Sequence, residues 1–325
     1  MKAPTTKSRS AMRYRELRFD SREEWLEARN NGIGGSDAGA VMGLNPYRSP
    51  LEVWLEKTGK VEPKDLSDKE AVEWGTRLEP MVAQKFADNH PELKVLRKNA
   101  TMVSVDRPWA FANIDRELRG DGRGILECKT AGLRSADQWV FGPPEHYIAQ
   151  IQHYLSVTGW DFAWCAVLIG GQEYREFYIP RDAEDIAAID KAVDAFWNEY
   201  VAKDVMPKMT GLRSESGALA GMYPNPSDEY LSVMDADMPE LGEISDLKRQ
   251  IKALEERKSK AENIVKAAIG EAKGIESESV RATWVRSTQM TFDRKRFEAD
   301  HPDLAEEYTE KKPKDGGLRL SPSRC

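Results

Sequence analysis

Residues 111–130 read FANIDRELRGDGRGILECKT. Asp115 comes first, a turn built from Gly120, Asp121, Gly122 and Gly124 follows, and Ile125-Leu126 then lead into Glu127-Cys128-Lys129. Glycine and aspartate at this density favour a tight reversal between two strands. Side chains alternate across a strand, so Glu127 and Lys129 share one face and Cys128 takes the other. The apolar approach through Ile125-Leu126 suggests a buried strand ending at a polar site. With Asp115 at the end of the neighbouring strand, two carboxylates and an amine can meet around one hard divalent cation. Oxygen ligands of this kind suit Mg²⁺ or Mn²⁺ rather than Zn²⁺. Such a cation acidifies bound water and stabilises charge developing on a phosphate, and Lys129 can position or deprotonate the attacking water. The competing reading is a plain hairpin with a surface Asp and a Glu–Lys pair. Three residues do not decide between the two, because short motifs recur by chance.

The 325 residues allow one large or two smaller domains with an ample core. Hydrophobic residues make up 40% and charged residues 32%, which describes a globular chain with a charged surface. No apolar run approaches a membrane span, so no membrane association is expected. The N-terminal MKAPTTKSRSAMRYRELRF is basic but lacks the apolar core of a secretion signal, and a cytoplasmic location is expected. Cys128, Cys165 and Cys325 are too far apart in sequence for a zinc knuckle or a four-cysteine cluster and read as reduced thiols. A net charge of -7 argues against a protein that coats nucleic acid passively. It does not exclude a nuclease, whose positive potential is needed only in a groove.

Residues 20–30, DSREEWLEARN, are expected as a short helix capped by Asp20 or Ser21, with Glu23 and Glu24 in its first turn. Gly32, Gly34 and Gly35 lead into a second helix near Ser36-Asp37. Glycines ahead of a helix start make an anion site that Arg29 and Ser36 could both reach, although ordinary capping explains the same pattern. Asn45-Pro46-Tyr47 turns the chain into a helix near 50–58. Residues 69–89 read as one helix with Val72, Leu78, Val82 and Phe86 on its apolar face. Glu79 adjoins that face ahead of Pro80, and an inward carboxylate needs a partner or a metal. Strands are expected at 93–105, 109–118 and 123–130. A helix over 144–158 turns Ile148, Ile151 and Leu155 inward and sets Gln150 on a different face from Tyr147 and Tyr154. Gln150 is the candidate for ordering water or a phosphate, and Gln152 is expected to be solvated. His146 and His153 are spaced i, i+7, poor geometry for chelation, and read as structural or as phosphate neighbours. WCAVLIG (164–170) and EYREFYIP (173–180) form a hairpin at Gly170-Gly171, and residues 182–203 form an amphipathic helix.

Composition shifts after Lys208. Residues 1–208 are expected as the main domain, 209–239 as a linker or ordered loop rich in Gly, Ser and Pro, and 240–325 as a C-terminal extension. Over 240–272 apolar residues recur at helical spacing among Lys, Arg and Glu, which fits one arm of a coiled coil or a helix packed on the preceding domain. VRATWVRS reads as a strand, and TFDRKRFEADHPDLAEEY contains a short charged helix.

Taken in order, RNNGIGGSD, WGTRLEP, Asp115 with Glu127-Cys128-Lys129, and HYIAQIQHYLSVTG resemble the YqaJ viral recombinase family, related to lambda exonuclease within the PD-(D/E)XK nuclease superfamily. The resemblance covers residues 20–205, and the C-terminal helix is similar to an extension on many phage members. It implies an α/β fold with a restriction-endonuclease-like core, a mixed central sheet flanked by helices, plus a helical C-terminal extension. It implies that Asp115 and Glu127 are metal carboxylates with the Cys128 carbonyl as a further ligand, that Lys129 is the catalytic lysine, and that Glu79 serves a second metal. Gln150 corresponds to the glutamine near the active site, and Arg29 and Ser36 to the pair that holds a 5′-terminal phosphate. The family's leading proline is replaced by Ile114, at a position that varies. The implied activity is Mg²⁺-dependent (Mn²⁺ as substitute) 5′→3′ degradation of linear double-stranded DNA from its ends, leaving 3′ single strands for an annealing protein. A homo-oligomer, a trimeric ring, and a phage or prophage origin in a bacterial host are implied with it. The competing functions are an endonuclease of the same superfamily and a non-catalytic recombination adaptor.

Overall fold

Strand β6, Arg123–Ala131, is the expected buried strand, and its residues Gly124–Cys128 are buried on both faces. The computed structural model describes residues 13–62, 69–225, 227–285, 287–310 and 318–321. The basic stretch before residue 13 and Cys325 lie outside the described residues. The β6 strand sits in a five-stranded sheet ordered β2 (Lys94–Arg97), β5 (Arg116–Arg119), β6, β7 (Phe162–Ile169), β8 (Glu173–Pro180). Every neighbouring pair is antiparallel except β6 and β7, whose parallel register sets Glu127 opposite Cys165. A parallel pair needs a crossover. Here it is a 3-10 turn, Leu133–Trp139, and helix α5, Glu145–Thr158.

Strand periodicity divides the core. Ile125, Ala163, Cys165 and Val167 face Ile151 and Leu155 of α5. Leu126, Cys128 and Ala166 face Val82, Ala83 and Phe86 of helix α4, Glu70–Asn89. The sheet therefore lies between α4 and α5, and the face bearing Ile125 also carries Glu127. Helices α1 (Arg22–Asn30), α2 (Gly35–Val41) and α3 (Pro50–Lys57) lie where the sequence puts them. Ser21 caps α1 by accepting from the Glu24 N–H at 3.1 Å. The π-helical turn Phe196–Val201 extends α6, Ala183–Ala195, and the Trp54 indole of α3 donates to the Tyr200 carbonyl at 3.2 Å.

Five expectations change. The stretches 93–105 and 109–118 are two strands each rather than one, the second splitting between residues 112 and 116, and the chain leaves the main sheet after β2 to run as β3, Thr101–Ser104. That strand pairs with β1, Tyr14–Leu17, and β4, Phe111–Ala112, in a second, three-stranded sheet. Val72 is exposed, unlike Val82 and Phe86, because α4 reaches the core only over its C-terminal half. Gln152 is buried, bridging the Pro180 carbonyl (2.8 Å) and the Asp182 N–H (3.2 Å). The segment after Lys208 holds helix α7, Arg213–Met222, whose buried Glu215 accepts from the N–H groups of Thr210 and Gly211.

The chain divides into two compact units, residues 1–225 and 226–325. The second contains the 30-residue helix α8, Glu240–Ile269, the ribbon of β9 (Gly274–Glu276) and β10 (Arg281–Thr283), and the short helices α9 (Arg294–Asp300) and α10 (Pro302–Glu307). Among the described residues no helix is long and apolar enough to cross a membrane.

Candidate active site

Glu127 and Lys129 project from the same face of β6, and the Lys129 Nζ lies 2.7 Å from Glu127 Oε1. Asp115 immediately precedes β5, and its Oδ2 accepts the Cys128 N–H at 2.8 Å. The hairpin thus brings the first carboxylate to the backbone between the other two residues. All three line a cleft of about 390 Å³ with Glu79 and Gly75 of α4 and Tyr147 of α5. The Lys129 ammonium also lies 4.5 Å from the centre of the Tyr147 ring.

Gln150 closes the site from α5. Its Nε2 donates to Glu127 Oε1 at 2.6 Å and to the Tyr154 hydroxyl at 3.2 Å, and Lys129 donates to its Oε1 at 3.3 Å. The separation of Gln150 from Tyr147 and Tyr154 expected from the sequence does not hold. Residues three and four apart on a helix are neighbours, and all three turn toward β6. His153 is fully buried beside the carbonyls of Ile33 and Phe111, a structural position.

The electrostatics follow from burial. Desolvation, then the nearby Glu127 charge, push the Asp115 carboxyl well above the ordinary carboxylate range. Burial alone would lower Lys129, but Glu127 and Asp115 outweigh it and hold the amine above its usual value. The Cys128 thiol is pushed up by burial and by Asp115, so it is no thiolate ligand. Glu127 Oε2 is buried and accepts no hydrogen bond, a costly state for a carboxylate oxygen. An orphaned oxygen beside a second carboxylate fits a hard cation, and the donor set contains no imidazole or thiolate that would favour zinc. Glu79 is held otherwise: Arg116, whose Nη1 also donates to the Asp115 carbonyl, takes Glu79 Oε1 at 2.6 Å. Among the described residues no three His, Cys, Asp or Glu side chains group closely enough to enclose a metal ion by themselves.

Arg29 and Ser36 also meet, with the guanidinium donating to Ser36 Oγ at 3.3 Å. Beneath them lies a buried charge cluster that the sequence reading missed. Asp37, fully buried, pairs with Lys57 (2.8 Å), Arg48 (2.5 Å) and Arg29 (3.8 Å), and Arg48 also pairs with Glu56. Burial alone would raise Asp37, yet Lys57, Arg48 and Arg29 together hold it far below the usual carboxylate range. For Lys57 the balance goes the other way, and burial leaves it lowered despite Asp37. The opposite outcomes reflect three cations crowding one anion. Arg29, Arg48 and Lys57 thus face Asp37 and Glu56, with Glu52 also acting on Arg48. Asp37 also accepts the Gly34 N–H at 3.1 Å, so it occupies part of the helix start expected to face an anion.

Gly35 ties the two regions together. A Cβ there would fall 2.4 Å from Tyr154 Cε1 and 2.7 Å from Gln150 Cγ, closer than real Cβ atoms come. Gly35→Ala is therefore expected to displace Gln150 from Glu127, destabilising the fold by about 1–3 kcal/mol and lowering any activity of the cleft more than stability alone explains. Thermal melts and turnover measured on the same sample check this.

The family model described as the YqaJ-like viral recombinase domain matches residues 24–161, a span containing Arg29, Ser36, Glu79, Asp115, Glu127, Lys129 and Gln150. The uncharacterized protein YqaJ of Bacillus subtilis (strain 168) is 35% identical over 290 residues, 88% of this chain and 90% of that protein. Among solved structures, an alkaline exonuclease (LHK-Exo) from Laribacter hongkongensis is similar over 56% of this chain and 93% of its own, with 22% identity and a TM-score of 0.46. A phage-related exonuclease from Haemophilus somnus 129PT is similar over 55% of this chain and 99% of its own, with 11% identity and a TM-score of 0.38. With a relative of this identity spanning nearly the whole chain and the domain model covering the cleft, the chain belongs to the YqaJ-like viral recombinase family.

Proposed function

We propose that this protein is a metal-dependent exonuclease that degrades linear double-stranded DNA from 5′-phosphorylated ends, 5′ to 3′. The observation that carries the reading is Gln150, which bonds Glu127 and Lys129 while its side chain lies against Gly35, next to Ser36. A site suited to a terminal phosphate and a pair of carboxylates are thereby held in fixed relation. Holding one phosphate at Arg29 and Ser36 would bring the next phosphodiester into register at the carboxylates, an orientation effect.

Asp115 and Glu127, with the Cys128 carbonyl, would hold Mg²⁺, or Mn²⁺ in its place, and Glu79 would join a second ion on leaving Arg116. The ion supplies Lewis-acid stabilisation of the phosphate and a more acidic water. Gln150 keeps Glu127 Oε1 oriented and leaves Oε2 free for that role. Lys129, as an ammonium, donates toward the reacting oxygens. With Asp115 and Glu127 holding a cation, the two charges that keep Lys129 protonated would be compensated, so the ammonium could release its proton to solvent and, as the neutral amine, accept one from the attacking water. The product on this reading is a 3′ single strand, the substrate of an annealing partner.

End-labelled linear duplex, with and without a 5′ phosphate, tests the proposal in Mg²⁺ and in EDTA. Release from phosphorylated 5′ ends in Mg²⁺ alone is the expected result. Arg29→Ala should lower the preference for phosphorylated over hydroxyl ends by about 10–100-fold, the value of a charge-assisted hydrogen bond. Rapid cutting of closed circular DNA without end preference overturns the exonuclease reading. No cleavage in any divalent metal overturns the enzyme.

A further inference from the structure

Helix α8 carries a seam that its own unit leaves bare. Ile244, Ile251, Lys258 and Val265 recur every seven residues, and Leu247, Leu254, Ala261 and Ala268 follow each by three. These are the a and d positions of a heptad repeat. Leu247, Ile251 and Leu254 are 47%, 53% and 58% exposed, at the broad end of the stripe. A helix of this length runs about 45 Å, enough for four heptads.

We propose that α8 pairs with α8 of a second copy of this chain as a parallel two-stranded coiled coil. β-Branched residues at a with leucine at d favour two parallel strands over three, which sets this pairing apart from the trimeric ring implied by the resemblance. The flanking charges fit the same partner. In a parallel pair each g position faces the e position five residues further along the other strand. Glu243 then meets the partner's Lys248, Arg257 meets the partner's Glu262, and Gln250 meets the partner's Glu255, with no like-charge encounter. Glu243, Lys248 and Arg257 have no ion pair among the described residues, whereas Asp246 and Arg249 on the outer face pair with each other at 2.8 Å. The antiparallel alternative sets Leu247 on the partner's Lys258, Ile244 on Ala261 and Glu255 on Glu255. Lys258 is the polar a residue that fixes register, and its ammonium reaches Glu262 at 3.5 Å rather than lying in the seam.

The test uses the full chain. Sedimentation equilibrium compares the wild type with Ile251→Asp/Leu254→Asp, a change at exposed positions that leaves each protomer folded. The double variant is expected to have half the wild-type assembly mass, because charges in the seam weaken pairing by about 100-fold or more. In a Cys325→Ser background, Leu254→Cys should form an interchain disulfide on mild oxidation and Ala253→Cys should not, since seam positions face themselves in a parallel pair and the outer position of Ala253 does not. Equal masses for wild type and double variant overturn the pairing. A Leu254→Cys chain that crosslinks no better than Ala253→Cys overturns its parallel orientation.

Discussion

Lys129→Ala is expected to lower turnover on linear duplex DNA by about 10²–10⁴-fold, the range for losing a positioned proton-transfer group. Asp115→Asn should lower it at least as far, because on the proposed reading the neutral amide gives up a charged oxygen ligand. The two variants part company in stability. Among the described residues Lys129 is the cation paired directly with Glu127, so its removal leaves two buried carboxylates facing each other. Asp115→Asn removes that repulsion altogether. The sign follows from the raised Asp115 carboxyl, up to about 8 against an ordinary 3.8. An acid raised on folding favours the fold below its unfolded value, and that contribution is lost as pH climbs toward the folded value. Wild type in EDTA should therefore melt at progressively lower temperature between about pH 5 and pH 8. Asp115→Asn should show a flatter profile and a midpoint higher by roughly 2–4 °C or more at pH 8. Mg²⁺ should raise the wild-type midpoint and leave the Asn variant nearly unmoved. Parallel pH profiles for the two proteins would remove Asp115 from the charged cluster.

The legible parts of this site share one property: their geometry is local. The alternation of Glu127, Cys128 and Lys129 follows from the strand period, and the cap on α1 from Ser21 and Glu24 three residues apart. The approach of Asp115 follows from a turn whose Gly120 N–H donates to the Gly122 carbonyl. Gln150 against Tyr147 and Tyr154 was equally local, and counting three and four residues along α5 would have placed all three together. What stayed hidden is tertiary. Asp37, Arg48 and Lys57 are 11 and 20 residues apart across two helices and a turn, and each alone passes for a surface charge. Gln152 resembles any solvated amide until β8 ends above it. β1 shows no apolar alternation, and only pairing with β3 makes it a strand. Arg116 looks like hairpin decoration, yet its grip on Glu79 decides how many carboxylates are available to a cation.

Asp37→Asn is expected to cost about 3–5 kcal/mol, the usual result of removing one partner from a buried ion pair. For a unit of this size the melting midpoint falls by roughly 6–20 °C. The cause is the pair of cations left behind: the Lys57 side chain is 1% exposed, and Arg48 loses its contact with Asp37 and keeps that with Glu56. Wild-type pH dependence should point the same way. Asp37 is depressed on folding, so its contribution is present above the ordinary value of 3.8 and lost as pH falls below it. Acid unfolding of the first unit should thus begin below about pH 4 and be blunted in the Asn variant. Adding Lys57→Met to Asp37→Asn separates structure from recognition. The second change removes the stranded ammonium, so the double variant should be more stable than Asp37→Asn alone, a coupling of about 1–3 kcal/mol in a double-mutant cycle. End recognition should not return with it. Arg29 lies 3.8 Å from Asp37, the buried carboxylate that, among the described residues, holds its guanidinium beside Ser36. A double variant that melts near wild type yet no longer favours 5′-phosphorylated ends assigns Asp37 a positioning role toward Arg29. Recovery of both properties together would mean that the cluster holds α2 to α3 and nothing more.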